Sequence, residues 1–223
     1  MAKPNPSPAP RINLTAPTGL VEADAQTLEP HETHEGERFD GGDLTDVDLS
    51  GAAFLECELD GVTLTATGLR GARFVDSQLT SPFATSLVAA RSSWRRVRVD
   101  NARWGSAELF DAELESVILS GGKIDFLNFR GAKLTDVLIE NAQITELDLA
   151  STTATRVAIR NCRIDTIDFT RATCADVDLR ATTFSRVLGI QGMRGTILNE
   201  IQLAEFAPIM ADMLGIRVED ELS

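Results

Sequence analysis

The sequence predicts an all-β solenoid that is closed at its C-terminal end by an α-helical cap. Three observations lead to this prediction. An apolar residue stands at every fifth position from Leu44 to Phe184. A second position, two residues before each of these centres, holds a small side chain almost throughout. After about Gly192 the five-residue period stops and helical spacing replaces it.

The composition is that of a globular protein with an acidic surface. Of the 223 residues, 43% are hydrophobic and 25% are charged, and the net charge is −13. No long apolar run or N-terminal signal segment is present, so we expect a cytoplasmic protein with no membrane contact. The net charge opposes direct nucleic-acid binding and favours a protein partner with a basic surface.

The three cysteines do not predict a metal site or a disulfide framework. Cys57, Cys162 and Cys174 show no C-x-x-C spacing and have no histidine nearby. We expect them to be buried free thiols.

Residues 1–37 are predicted to be a separate, proline-rich and largely disordered segment. Six of the eight prolines lie there, and the spaced prolines of KPNPSPAP favour extended conformers with no core to bury. We expect a mobile tail over the first dozen residues. Part of the stretch from Ile12 to Leu28 can still pack onto the body.

The repeat itself is predicted to span residues 38–190. A period of five drifts around an α-helix and does not fit the two-residue period of a flat strand. It fits a chain that turns a corner every five residues, with the central residue and its small partner pointing inward. Such coils stack at a β-like spacing of about 4.8 Å, so each coil is buried only by its neighbours.

A twenty-residue overtone predicts four pentapeptides per coil. The small position is larger than valine only at Leu87, Leu127, Leu147 and Ile167, whose spacings are all multiples of twenty. We therefore expect these four side chains to stack on one side of a four-sided coil.

The repeat resembles the pentapeptide-repeat family, whose motif is A-[DN]-[LF]-x-x. The stretches that match it include GDLTDVDLSGAAF, GARF, DAEL, RGAKL and DVDLRATTF. The resemblance implies a right-handed quadrilateral β-helix, in agreement with the overtone. It also implies a non-catalytic protein, since known members include quinolone-resistance proteins that mimic DNA, bind DNA gyrase and dimerise through their C-terminal ends. This chain has no loop insertion like those of the plasmid-borne relatives.

The weakest part of the repeat is SPFATSLVAARSSW, where the centres shrink to Ala84 and Ala89. Trp104 lies twenty residues after Ala84, so the small residue can make room for the indole. The alternative is a deformed coil that exposes Phe83 as a contact point. Phe83, Phe110 and Phe126 are predicted to be exposed partner contacts.

Residues 191–223 are predicted to form a helical cap that is also a possible dimerisation element. Apolar residues at helical spacing give one face, with Asn199 as N-cap, Gly215 as C-cap and Pro208 kinking or splitting the helix. This face can cover the last coil, pair with a second copy, or do both. Its residues are Leu203, Phe206, Met210, Met213 and Leu214.

The sequence carries no catalytic motif, so we expect no enzymatic activity and no cofactor. The only two histidines, His31 and His34, lie close together in the N-terminal segment. No side of the coil is strongly single-signed. A basic cluster is followed by acidic residues and is expected to form surface ion pairs; it comprises Arg91, Arg95, Arg96, Arg98 and Arg103. Two functions remain open: gyrase binding with modulation of quinolone sensitivity, as the resemblance implies, or a general protein–protein interaction scaffold.

Overall fold

The computed structural model describes residues 9–213, 215–217 and 219. Over these residues the chain winds into a parallel β-solenoid of about nine turns, followed by one α-helix. The predicted fold class is thereby confirmed. Its seventeen strands, two 3₁₀ helices and α-helix are β1 (Val21–Glu22), a 3₁₀ helix (Ala25–Thr27), β2 (Thr33–Glu35), β3 (Glu37–Asp40), β4 (Ala53–Leu55), β5 (Glu58–Asp60), β6 (Arg73–Val75), β7 (Gln78–Thr80), β8 (Phe83–Val88), β9 (Ser93–Asp100), β10 (Arg103–Glu108), β11 (Glu113–Ser120), β12 (Lys123–Asn128), β13 (Lys133–Glu140), β14 (Gln143–Asp148), β15 (Thr153–Asp168), β16 (Thr173–Leu188), a 3₁₀ helix (Ile190–Met193), β17 (Thr196–Ile197) and α1 (Glu200–Met213).

Twenty residues make one coil along nearly the whole rod. Each strand pairs in parallel with the strand one coil on, as Thr33 does with Ala53 and Glu113 with Lys133. A local irregularity occurs where Arg160 pairs with Ala181, and the twenty-residue register then resumes. The sequence-derived four-sided coil is therefore correct.

The interior is a continuous column of the predicted central residues. Aromatic rings stack in register on one side of the first coils, with centroid separations of 4.9 Å between Phe54 and Phe74 and 4.2 Å between Phe74 and Trp94. Where the small inward residue is threonine, its hydroxyl donates to a carbonyl of the preceding coil. Thr152 Oγ1, for example, donates to the Phe129 carbonyl at 2.6 Å. The interior is thus filled and its inward hydroxyls are hydrogen-bonded, whereas among the described residues the buried His34 Nε2 and Trp104 Nε1 have no hydrogen-bond partner.

The twenty-residue overtone corresponds to a change in corner geometry. At one corner of the early coils Asp46 and Ala66 are left-handed, with φ of 61° and 55°. One coil later the backbone is extended at the equivalent position, and β8 runs through the corner without a break. Leu87 is the inward residue of this corner and is fully buried. An extended corner thus accompanies the bulky side chains that the sequence places there.

The solenoid begins before the boundary predicted at residue 37. Val21 pairs with Glu37, and Thr33 pairs with Ala53, so residues 21–37 are the first, irregular coil. His34 occupies a central position, is 9% exposed and stacks on Phe54 at 5.5 Å. The prediction of a largely disordered segment therefore does not hold for this stretch. Residues 1–8 lie outside the described residues.

Ala84 makes room for the Trp104 indole, as the sequence suggested. They are neighbours in the ladder, and both are buried, at 3% and 0% exposure. The coil at Phe83 keeps its register with the next one, since Phe83 pairs with Arg103. Phe83 is exposed because it occupies an outward position, and no deformation of the coil is needed.

The cysteines are unpaired, as predicted. Cys57 and Cys162 are buried, whereas Cys174 is half-buried. Burial raises the pKa of the Cys174 thiol to about 11. These thiols therefore stay protonated near neutral pH and are poor nucleophiles.

Candidate binding surfaces

The three phenylalanines predicted as contacts do not form one surface. Phe83 is 45% exposed, but Phe110 and Phe126 are only half-buried, so the prediction that all three are exposed is wrong for these two. Phe126 lies at the extended corner, in the ladder between Ser106 and Glu146. The sequence showed that these positions are outside the core, but not how far neighbouring coils cover them.

A shallow depression lies beside Phe83. It has a volume of about 660 Å³ and is floored where Gly105 and Gly122 carry no side chain. Its rim includes Arg103 and Lys123, and it does not include Phe110 or Phe126. Asp125 also lines the depression, and its Oδ1 lies 3.4 Å from Lys123 Nζ, so the rim carries charges of both signs.

The basic cluster is neutralised by carboxylates of its own and adjacent coils. The Arg96 guanidinium makes a bidentate contact with Asp76, and Arg98 Nε donates to Asp100 Oδ2 at 2.7 Å. Among the described residues, Arg91 and Arg95 lie opposite Asp111 and Glu115 on the next coil, at 3.7 and 3.3 Å, and Arg103 has no such pair. The predicted surface ion pairs are therefore present.

One column of outward residues is acidic over several coils. It is aligned by the ladder through Asp40, Asp60, Thr80, Asp100, Ser120 and Glu140. We call these six residues the acidic column. Its members follow one another at about 4.8 Å. The column ends where Glu140 pairs with Arg160.

The C-terminal helix α1 caps the last coil. Its N-terminus is a capping box. The backbone N–H of Gln202 donates to Asn199 Oδ1, and the backbone N–H of Asn199 donates to Gln202 Oε1, both at 2.8 Å. The same Gln202 donates through Nε2 to the carbonyls of Leu179 and Thr182, both at 2.8 Å. Phe206 stacks on Phe184 at 5.3 Å. The open end of the solenoid is thereby covered.

The other predicted features of this helix are found in part. Gly215 has a φ of +69°, its N–H donates to the Asp212 carbonyl, and the Ile216 N–H donates to the Ala211 carbonyl, as in a Schellman C-cap. Pro208 lies inside one continuous helix, so the helix is not split.

The residues of the predicted dimer face differ in their exposure to solvent. Phe206 is 5% exposed and faces the last coil, Leu203 is 52% exposed, and Met210 is half-buried. The side chains of Met213 and Leu214 lie outside the described residues. Ile201 and Ile209 of the same helix are 72% and 45% exposed, and the sequence reasoning missed both.

The N-terminal segment lies along the rod, which the sequence reasoning left open. The Arg11 N–H donates to Asp136 Oδ1 at 2.8 Å, and Ser116 Oγ donates to the Arg11 carbonyl at 3.4 Å. The Arg156 guanidinium makes two hydrogen bonds with the Asp136 carboxylate, both at 2.6 Å, and holds its pKa below the usual range. A signal was present in the sequence, because Ile118 and Leu138 are apolar at outward positions of the repeat.

The described residues contain no cluster of histidine, cysteine and carboxylate side chains that could bind a metal ion. Within the same part of the chain, no helix is long and apolar enough to cross a membrane.

Part of the repeat matches a known family. Residues 43–80 match the family model described as pentapeptide repeats, in 8 copies. No curated protein sequence matches the chain. A trypsin-treated form of QnrB1, a plasmid-mediated fluoroquinolone resistance protein, is similar at 19% identity and a TM-score of 0.41, over 89% of this chain and 96% of that one. Full-length QnrB1 is similar at 18% identity and a TM-score of 0.37, over 87% of this chain and 95% of that one. A third similar structure is HetL, a pentapeptide repeat protein involved in heterocyst differentiation regulation, from the cyanobacterium Nostoc sp. strain PCC 7120. Its identity to this chain is 14% and its TM-score is 0.26, over 77% of this chain and 91% of that one. At these identities and scores, no function follows from the likenesses.

Proposed function

Because the chain is a pentapeptide-repeat protein, we propose that it is a non-catalytic rod that acts by binding other proteins. The observation that carries this proposal is the position of its exposed apolar side chains. Among the described residues, five of the eight large ones are at the C-terminal end, and such clustering is typical of an interface. They are Leu188, Ile201, Leu203, Ile209 and Ile216.

The first partner proposed for this end is a second copy of the chain. A two-fold contact between two α1 helices would bury Ile201 and Ile209 on both copies at once, and such self-complementary contacts are the commonest in oligomers. Phe206 and Gln202 would stay on the last coil, while the exposed Ile201 and Ile209 would meet the second copy.

Light scattering tests the dimer. We expect twice the chain mass of 24.1 kDa at micromolar concentration. Ile209→Glu should give the monomer, because the charge would be buried without a partner. Val21→Glu is the matched control, since Val21 is 67% exposed at the opposite end of the rod. A wild-type chain that stays at the monomer mass at high concentration contradicts the proposal.

The second partner proposed is DNA gyrase, with the rod acting as a mimic of duplex DNA. The support is the family resemblance together with the net charge of −13 and the acidic column. Carboxylates aligned along a rigid rod can meet a basic DNA-binding groove. Asp60 lies 3.9 Å from Arg38 and Asp100 lies 2.7 Å from Arg98, so part of this charge is neutralised.

Supercoiling by purified gyrase tests this partner, with and without a fluoroquinolone. We expect inhibition, or protection from the drug, at micromolar protein. The double variant Asp60→Asn with Glu140→Gln should weaken the effect. The control, Glu113→Gln with Glu115→Gln, removes the same charge from exposed residues outside the column and should act like wild type. If gyrases from several bacteria are unaffected, gyrase is not the partner.

A general interaction scaffold is the second candidate function. It is favoured by the ion pairs of the basic cluster, because they leave rod faces of mixed sign rather than a continuous negative one. Mixed faces suit recognition of particular proteins better than mimicry of a uniform polyanion. In that case gyrase is unaffected, while cross-linking in cell extract gives one reproducible partner that Phe83→Asp removes.

A further inference from the structure

An extended N-terminal segment covers one side of the rod. Residues 9–20, here called the strap, run from the coil of Asp136 back to the first coil, which begins at Val21. Ile12 and Leu14 are half-buried, whereas the alternate residues Asn13 and Thr15 are exposed. This is the two-residue alternation of a strand with one face against a surface.

The surface beneath the strap departs from the rest of the rod. Ile118, Leu138 and Ala158 stand in register at one outward position of three successive coils, and we call them the apolar column. Elsewhere along the same position the residues are polar, such as Gln78 and Arg98. Ala158 is fully buried although its position faces outward. At about 4.8 Å per coil, the column extends over roughly 10 Å, which matches the reach of a few extended residues.

The strap is held weakly for a segment of its length. Within the described residues, only two hydrogen bonds join it to the rod, both at Arg11, which contacts Asp136 and Ser116. Between strap and rod there remains a groove of about 460 Å³. The strap lines it with Ile12 and Leu14, and the rod lines it with Ile118 and Leu138 of the apolar column and with polar neighbours, among them Gln78, Arg98 and Arg160. Incomplete packing and few main-chain bonds make the strap easier to open than the solenoid ladder.

We propose that the apolar column is a docking surface for an extended peptide of a partner protein, and that the strap is its displaceable cover. The strap shows what the surface accepts: an extended chain with apolar residues at alternate positions, anchored through its main chain at Asp136 and Ser116. Extended peptides are commonly recognised in this manner, with main-chain bonds for affinity and alternate side chains for specificity. The inference rests on the proposed function, that the rod binds other proteins, and it names the binding surface and the partner segment.

A tethered cover competes with any peptide in solution. A short flexible tether gives an effective concentration of about 1 mM, so the strap weakens binding of an external peptide until it is released. Release is achieved in the full chain by the double variant Ile12→Asp with Leu14→Asp. The matched control is Asn13→Asp with Thr15→Asp, which adds the same charge on the exposed side of the strap.

The test uses a fluorescent peptide with the sequence of residues 9–20, APRINLTAPTGL, and measures anisotropy on the full-length variants. The released variant should bind the peptide at least roughly tenfold more tightly than wild type or the control variant. Adding Leu138→Asp to the released variant should abolish binding. Adding Val88→Asp, which changes an exposed apolar residue outside the column, should not.

Three results would overturn the proposal: equal binding to all variants, binding that survives Leu138→Asp, or no binding to the released variant at about 1 mM peptide, the concentration expected of the tether. The proposal would also be overturned if the released variant dimerised while the control variant did not, since a second copy of the chain would then occupy the apolar column. Trypsin gives an independent readout, because cleavage after Arg11 should be faster in the released variant only. The gyrase assay is separate: peptide binding without an effect on gyrase leaves the docking surface standing and rejects only that partner.

Discussion

Removing the ring of Phe74 should strongly destabilise the solenoid. Its side chain is 1% exposed and is stacked between Phe54 at 4.9 Å and Trp94 at 4.2 Å. Truncation of a buried phenylalanine to alanine costs about 3–5 kcal/mol, from lost transfer free energy and the cavity left behind. Two stacked ring pairs are lost here, which places Phe74→Ala near the upper end, at about 4–5 kcal/mol.

The matched control is the same substitution at Phe83. That residue is 45% exposed and faces outward, so Phe83→Ala leaves no cavity in the core. Partial burial gives it an expected cost below about 1.5 kcal/mol. For a chain of this size, a loss of 4–5 kcal/mol corresponds to a fall in Tm of roughly 8–20 °C, whereas the control should fall by only a few degrees.

Urea unfolding followed by tryptophan fluorescence and circular dichroism measures both variants. Trp94 is in van der Waals range of Phe74 and should also change its emission when the ring is removed. The reasoning is refuted if the two variants lose similar free energies of unfolding. It is also refuted if Phe74→Ala costs less than about 2 kcal/mol, below the range for core truncations.

Three further predictions concern polar contacts. Arg156 lowers the folded-state pKa of Asp136, so the Asp136 carboxylate stabilises the fold at pH values above its unfolded-state pKa. In denaturant titrations, wild type should therefore have a larger free energy of unfolding than Asp136→Asn at pH 7. This difference should vanish as the pH falls below about 4. Gln202→Ala removes bonds to two carbonyls of the last coil and the capping box, so hydrogen exchange in α1 should become roughly 10–100-fold faster; unchanged exchange would show that the cap is held by Phe206 alone. Thr152→Val loses a buried hydroxyl hydrogen bond and should lower the free energy of unfolding by about 1 kcal/mol. The control Thr153→Val, on the surface, should stay within about 0.5 kcal/mol of wild type. Equal losses in the two variants would contradict a stabilising role of the Thr152 hydrogen bond.

The interior of the rod could be predicted from sequence because each inward position is tied to its neighbours at a fixed spacing. A side chain that points inward must fit between the equivalents one coil before and one coil after it. For that reason the pairing of the small Ala84 with the large Trp104 could be inferred from the sequence. The bulky residue at Leu87 likewise revealed the corner where the backbone becomes extended.

The exposure of outward side chains was harder to predict. Phe83 and Phe126 both lie outside the core, yet one is 45% exposed and the other is half-buried. The difference depends on which side chains stand beside them on adjacent coils. Those neighbours are about twenty residues away in sequence and are not restricted by the inward pattern.

The sequence by itself determined the coil, its twenty-residue register and the capping helix with its end signals at Asn199 and Gly215. Those features follow from burial periodicity and from local hydrogen bonding, which are written into short stretches of chain. Only the tertiary structure decided that Phe206 faces the last coil while Ile209 faces solvent, and that the segment around Arg11 lies on Asp136. Contacts between distant segments depend on shape and charge in three dimensions, and no periodicity along the chain records them.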